Sequence, residues 1–389
     1  MARIVSVSCV DEDGARAAAD ATRELFRELG GTPDWVLCFF SAELDPESVR
    51  SGLFQRLPAS VPLVGCSCYA EIDSQEAMTR SVVLLGARNS GLVAHTAALP
   101  AAGRSSFELG QSLGRQFVPL GASLIILLPD VLTVNATEVL RGMQSELGSD
   151  APIIGGAPAD PGSFSKTYQL CGSSLQAEGA VALALVGPLT VVTAARSGYS
   201  PVSLPREATR VENGNIVLEL DHRPALTVYR EFLGPRASEM PAVSIEFPLG
   251  VVPEGMHETQ PDLTRAIFRV DEERGALVLG GSVKQGAKLR ILSCSQSDIV
   301  QGARTATALA LSAMPQPDAA LMFNCLSRKV VMGARYRDEV TEAQKILPAG
   351  LTCAGFYTFG ELSPVSGTTE HHESTFTLAL IQLQQPKAE

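Results

Sequence analysis

Two short stretches place chemically capable side chains at matching spacing. "GCSCYAEI" at 65–72 sets Cys66, Ser67 and Tyr69 ahead of Glu71, and "AGFYTFGEL" at 354–362 sets Tyr357 ahead of Glu361. A cysteine where a strand enters a turn can be a nucleophile if a base lowers its pKa, which suits Cys66; a packed turn cysteine suits the same position. In "NCLSRK", Cys325 has Arg328 and Lys329 close behind it, and positive charge favours a thiolate. The same residues suit carboxylate binding, because arginine offers a rigid bidentate fork, so Arg328 is a candidate ligand contact. Glu361 and Asp160, the latter after "GGAPA", can each bind an amine or hydroxyl, or tie a loop down through backbone hydrogen bonds. Tyr357 and Phe356 can line a pocket or pack in the core. His371 and His372 are adjacent on a strand, so they point to opposite faces; His372 is the candidate for a site, as a hydrogen-bonding residue, a base or an axial haem ligand. If the chain is an enzyme, Cys325, Cys66 and His372 are its catalytic candidates.

Other chemistries lack their motifs. The Cys66–Cys68 pair has no second pair to complete a zinc site, and there is no H-E-x-x-H or C-x-x-C-H. Gly-Gly at 155–156 and 280–281 lacks the spacing of a dinucleotide loop, and "GARTATA" at 302–308 is not a phosphate loop. "DEDG" and "DEERG" read as solvated acidic turns rather than calcium loops. The balance of 31 basic against 42 acidic residues, net −11, argues against a nucleic-acid partner. Eight cysteines scattered over 389 residues do not make a disulfide scaffold. "MARIVSVSCVDEDG" does not read as a secretory leader, and apolar runs such as "GAVALALVG" at 179–187 are too short to span a bilayer. The expectation is a cytoplasmic protein with no membrane insertion, no metal and no cofactor demanded by a motif.

The elements that must hold these residues recur. "WVLCFF" at 35–40, a helix over 45–57 with Asp45 as cap and Pro46 behind it, "VPLVGCS" at 61–67 and "SVVLLG" at 81–86 form one copy. "ASLIILLPD", a helix capped by Asn135, "APIIGGAPAD" and "EGAVALALVG" form a second. "DAALMFNC", a helix at about 335–347, "LTCAGFYTFGEL" and "STFTLALIQL" form a third. Gly65, Gly155 and Gly355 recur at the strand-to-turn junction, where glycine allows positive φ or close backbone approach. Between the second and third copies, Asn213-Gly214 marks a hairpin, a helix follows Pro224, and 266–294 holds two or three strands. Another helix starts near Asp298. The fold class is α/β to α+β, with mixed β-sheets covered by helices and two related domains.

In this order and spacing the chain resembles the FIST family, proteins with paired N- and C-terminal FIST domains. The resemblance rests on "VPLVGCSCYAEI", "APIIGGAPAD" and "EGAVALALVG" in the first half. In the second half it rests on "NIVLELDHRPALTVY", "GSVKQGAKLRI", "ALMFNCLSRK", "CAGFYTFGELSP" and "HHESTFTLAL". It implies a FIST N-like domain at 1–198 and a FIST C-like domain at 199–389. It also implies an intracellular small-ligand sensor, with amino acids or similar anionic metabolites suggested, signalling through a separate protein. Arg328, Glu361, Asp160, Tyr357, Ser67 and Glu71 are the ligand-binding candidates. Two alternatives stay open: a haem-binding nitric-oxide sensor using His372, and a cysteine-dependent enzyme. The chain departs from the family pattern at Cys68, Tyr69 and Ala70, where threonine, alanine and glycine are usual, and at Glu373, where asparagine is usual.

Overall fold

The computed structural model describes residues 2–252, 263–365 and 367–384 of a mixed α/β protein. The first unit runs β1 (Arg3–Val10), α1 (Gly14–Leu29), β2 (Trp35–Ser41), α2 (Pro46–Leu53), β3 (Leu63–Cys68), the hairpin β4 (Glu71–Ile72) and β5 (Ala77–Met78), and β6 (Ser81–Arg88). The second repeats it as β7 (Val93–Leu99), α3 (Ser106–Phe117), β8 (Leu124–Pro129), α4 (Ala136–Leu147), β9 (Ile153–Gly156), the hairpin β10 (Gln169–Cys171) and β11 (Ser174–Gln176), and β12 (Ala180–Val186). The third opens with β13 (Leu189–Arg196) and is then interrupted. The insertion holds β14 (Ser200–Pro201), β15 (Arg206–Glu212), β16 (Ile216–Leu220), β17 (Arg223–Pro224), α5 (Ala225–Leu233), β18 (Leu249–Val251), β19 (Leu263–Arg265), β20 (Ile267–Asp271), β21 (Ala276–Leu279) and β22 (Lys288–Ser293). The third unit resumes with α6 (Gln296–Ala313), β23 (Ala319–Cys325), α7 (Leu326–Met332), α8 (Arg337–Gln344), β24 (Thr352–Thr358), the hairpin β25 (Glu361–Val365) and β26 (Thr368–His372), and β27 (Phe376–Leu383).

Each unit builds a sheet of the same order: outer strand, closing strand, opening strand, then the glycine strand parallel to it. The next position is filled by another unit's hairpin. Hairpin β4–β5 joins the third sheet beside β24, β25–β26 joins the second beside β9, and β10–β11 joins the first beside β3. The three sheets are thus interlocked in a ring. The insertion forms a separate nine-stranded sheet.

Burial on both faces explains why the strands read as unbroken apolar runs. The inner faces of all three sheets share one core, with Phe39, Ile126, Leu183, Phe323 and Phe356 among its members. The outer faces bury their alternate residues under helices: α1 and α2 on the first, α3 and α4 on the second, α6 and α8 on the third. The recurrent glycines have one cause. A Cβ on Gly65, Gly155 or Gly355 would overlap the carbonyl of Cys38, Leu127 or Met322, the residue facing it on the opening strand.

Asn213 and Gly214 both adopt left-handed φ, 50° and 74°, which turns β15 back into β16 as the sequence predicts. Two expectations are corrected. The sequence-derived copies lack the outer strands β1, β7 and β13, whose half-exposed residues weaken the apolar pattern. The third-unit helix expected at about 335–347 is α8 (Arg337–Gln344), and the sequence reading missed the short helix α7 ahead of it, which begins at Leu326 with Cys325 as its N-cap residue. α7 ends at Gly333, where φ is 55°, before α8 begins.

Candidate functional site

The two echoing glutamates turn out to be matched clamps. Each lies six residues beyond its glycine, and each accepts a backbone N–H at the entry to its closing strand. Glu71 Oε2 takes Ser81 N at 3.3 Å and the Ser81 hydroxyl at 2.6 Å. Glu361 Oε2 takes Thr375 N at 3.2 Å, while its Oε1 takes the Thr358 hydroxyl. Burial pushes Glu71 up to about 8, against the pull of Ser81, Cys68 and Lys329. Burial also drives Glu361 well above the carboxylate range. In the second unit the matching position is Pro161. There Thr133 Oγ1 accepts Gly179 N at 3.1 Å instead.

Arg328 is corrected from a ligand contact to a structural clasp. Its guanidinium is fully buried, and all five N–H groups are taken within the protein. Glu339 Oε2 accepts from Nε at 2.9 Å and from Nη2 at 2.8 Å. The carbonyls of Ser197, Ser374 and Ile299 accept the rest. Tyr357 belongs to the same clasp, donating its hydroxyl to the Tyr336 carbonyl at 2.7 Å or Glu339 Oε1 at 2.9 Å.

The thiolate expectation at Cys325 is corrected as well. The thiol is buried, and desolvation together with the neighbouring Glu361 raises its pKa, while the Arg328 guanidinium is paired with Glu339. Burial raises Cys66 too, which packs in the central core. Lys329 Nζ sits 3.5 Å from the Tyr69 ring centroid and 4.5 Å from that of Tyr336, donating to the Tyr69 carbonyl. Burial lowers it to about 8, although Glu71 pulls the other way. Ser67 Oγ accepts Tyr168 N at 3.0 Å.

Neither adjacent histidine fits a haem ligand. His372 Nε2 lies 3.1 Å from the Ser363 carbonyl, and burial lowers its pKa to about 4. His371 Nδ1 meets the Thr137 hydroxyl at 3.1 Å. Its Nε2 has no partner among the described residues, but the Gly360 backbone lies over it so closely that even a Cβ there would overlap it. An iron has no room at His371 Nε2, and His372 Nε2 is engaged by the Ser363 carbonyl. Among the described residues no group of three His, Cys, Asp or Glu side chains is placed to hold a metal.

The open space lies elsewhere, where the loop after β8 meets the inserted sheet. A cavity of about 480 Å³ is lined by 131–135 and Phe164 on one side and by Asn215, 268–269 and 278–280 on the other. Asp160 belongs to its support. The carboxylate accepts the N–H groups of Gly162, Phe164 and Ser165 and the Ser163 hydroxyl. Burial raises its pKa, but those bonds outweigh burial and hold it below the ordinary value. They also hold Phe164 at a left-handed φ of 50°, uncommon for a bulky residue. The Phe164 ring is thereby stacked 4.6 Å from Phe359 and set 5.6 Å from Phe268. Phe268 is itself the extra residue of a bulge, since Ile267 and Arg269 face consecutive residues of β21. Arg269 is exposed, and its side chain has no hydrogen bond or ion pair among the described residues.

The cavity wall is wired to the third unit. Glu373 Oε2 accepts Ala266 N and Gly281 N, each at 3.0 Å. Arg265 donates to the His371 carbonyl at 2.9 Å. Side chains at Gly280 or Gly281 would collide with Glu373 or Arg265, so the double glycine serves close packing. Burial pushes Glu373 up to about 7. Sequence reasoning missed the cavity residues; the 280–281 glycines and the Asn213-Gly214 turn were their local signals.

The FIST N domain model matches residues 34–223 and the FIST C domain model matches 225–364. An uncharacterized protein of Mycobacterium tuberculosis is 26% identical over 378 residues, covering 95% of this chain and 96% of its own. One from Mycobacterium bovis is 24% identical over 381 residues, covering 96% and 97%. Among solved structures, a cyanuric acid hydrolase from A. caulinodans aligns with TM-score 0.39 and 9% identity, covering 99% of this chain and 100% of its own. A chorismatase aligns with TM-score 0.35 and 10% identity, covering 97% and 98%.

Proposed function

This chain belongs to the FIST family, and from that premise we propose that it is a receptor for a small anionic ligand, an amino acid or similar metabolite, that signals through a separate protein. FIST domains are associated with small-ligand sensing in signal transduction. Among the described residues no helix is long and apolar enough to cross a membrane. The observation that carries the reading is the cavity that bridges the three-sheet ring and the inserted sheet. Its volume falls within the range of small-molecule sites. A ligand there touches both bodies, so its binding energy can bias their relative placement. The route outward runs from Gly280 through Gly281 N–H to Glu373, and from Arg265 to the His371 carbonyl, into the end of β26. The separate partner would read the position of that hairpin.

Leu132→Trp tests the reading by filling the cavity from a half-buried wall position. Purified protein is expected to retain a small ligand in native mass spectrometry, or to gain thermal stability from one in a metabolite screen. The variant is expected to lose that response while unfolding cooperatively. An unchanged response in the variant would remove the cavity from the proposal.

A further inference from the structure

We infer that the cavity selects an aromatic carboxylate without an ammonium group. This rests on the receptor reading above and narrows its ligand class. The chain carries a net charge of −11, yet the cavity lining contains one cation, Arg269, and no carboxylate. The Arg269 side chain has no partner among the described residues, so its guanidinium can offer a planar fork to an acid. Of the carboxylates behind the wall, Asp130 and Asp160 are taken up by hydroxyls and backbone N–H groups, and Glu373 lies behind Gly280 with Oε1 sealed from solvent, where a ligand ammonium cannot reach it. An amino acid would therefore bury its amine beside a cation with nothing to pair it, at a cost that an amine-free acid avoids.

The remainder of the wall is largely apolar, and the side chains of Thr133, Asn135 and Asn215 are largely committed. Asn135 Oδ1 caps α4 through Glu138 N, and its Nδ2 donates to Ser282 Oγ at 3.3 Å. Asn215 Nδ2 donates to the Leu279 carbonyl at 2.9 Å, and the Thr133 hydroxyl is bonded to Asp130 at 2.7 Å. Such a lining suits a ligand with few hydrogen-bonding groups, which sets sugars and nucleotides apart. Two devices bring aromatic rings to its lining: the left-handed Phe164 and the bulged Phe268. Aromatic rings favour an offset or edge-on aromatic partner over an aliphatic one of similar size.

The test measures affinity by calorimetry for 3-phenylpropionate, L-phenylalanine, 3-cyclohexylpropionate and 3-phenylpropanol. The proteins are the wild type, Arg269→Gln, Phe268→Leu and Leu132→Trp. The expected result is tightest binding of 3-phenylpropionate, weakened about tenfold or more by Arg269→Gln and severalfold by Phe268→Leu. The other three probes should each bind about tenfold or more weakly. If L-phenylalanine or the cyclohexyl acid binds as well, and Leu132→Trp blocks it, the aromatic amine-free class is overturned while the receptor site stands. If 3-phenylpropionate binds Leu132→Trp unchanged, the site itself falls. No binding of 3-phenylpropionate to the wild type at millimolar concentration overturns the inference.

Discussion

The first and third units close their strand ends with a buried glutamate, whereas the second does not. Glu71 and Glu361 each hold an N–H at the entry to a closing strand. The second unit has Pro161 at that position and gives the task to Thr133. Its chain beyond β9 is then free to form the Asp160 loop, which projects Phe164 toward the inserted sheet. The cavity forms at this end. The difference teaches that the repeated sequence motif marks a structural clamp, and that the ligand site proposed here grew where the clamp was given up.

The comparison can be broken most severely at the third unit's clasp. Arg328→Met leaves Glu339 buried without its cation and should cost roughly 3–5 kcal/mol, read as a lower urea midpoint with unchanged slope. Glu71→Ala and Glu361→Ala should each cost about 2–3 kcal/mol, because each strands a buried N–H. Equal losses would confirm that the clamps are equivalent. A loss at only one would show that the echo is one of sequence alone.

The smallest effect is a pH dependence. Glu71 and Glu373 are raised from an ordinary value of 4.5 to about 8 and about 7. The folded state therefore holds their protons more tightly than the unfolded chain. The stability they contribute is full below about pH 4.5 and is lost as pH rises through 7 to 8. The Glu71→Gln/Glu373→Gln double variant should flatten the decline between pH 5 and 8.5 by about 1–3 kcal/mol in urea titrations. A double variant that tracks the wild type across that window would mean that these carboxyls titrate normally.

Much of the fold was legible because its causes are local. The capped helices, the Asn213-Gly214 turn and the glycines pressed against neighbouring carbonyls each leave a residue-level mark. The hairpin exchange leaves none, since Glu71 meets Phe356 across almost 300 residues of chain. Site residues failed for the same reason. Arg328 and Glu361 have the right chemistry for a ligand, but Glu339 and Thr375 had already claimed them through the fold. Arg269 and Phe268 carried no motif, because a bulge and a neighbouring loop give them their place.

The exchanged hairpins also impose an order on biosynthesis. While the ribosome is still making the middle of the chain, β4–β5 has no β24 to join, and β9 has no β25. Hairpin β4–β5 waits longest, for a strand made almost 300 residues later, and the outer strand β13 waits nearly 200 residues for its partner, β27. Nascent chains therefore carry exposed strand edges until translation is almost complete, and a stall anywhere in the inserted sheet releases an open ring. Such fragments are the species in which pairing with another chain, and capture by chaperones, should concentrate.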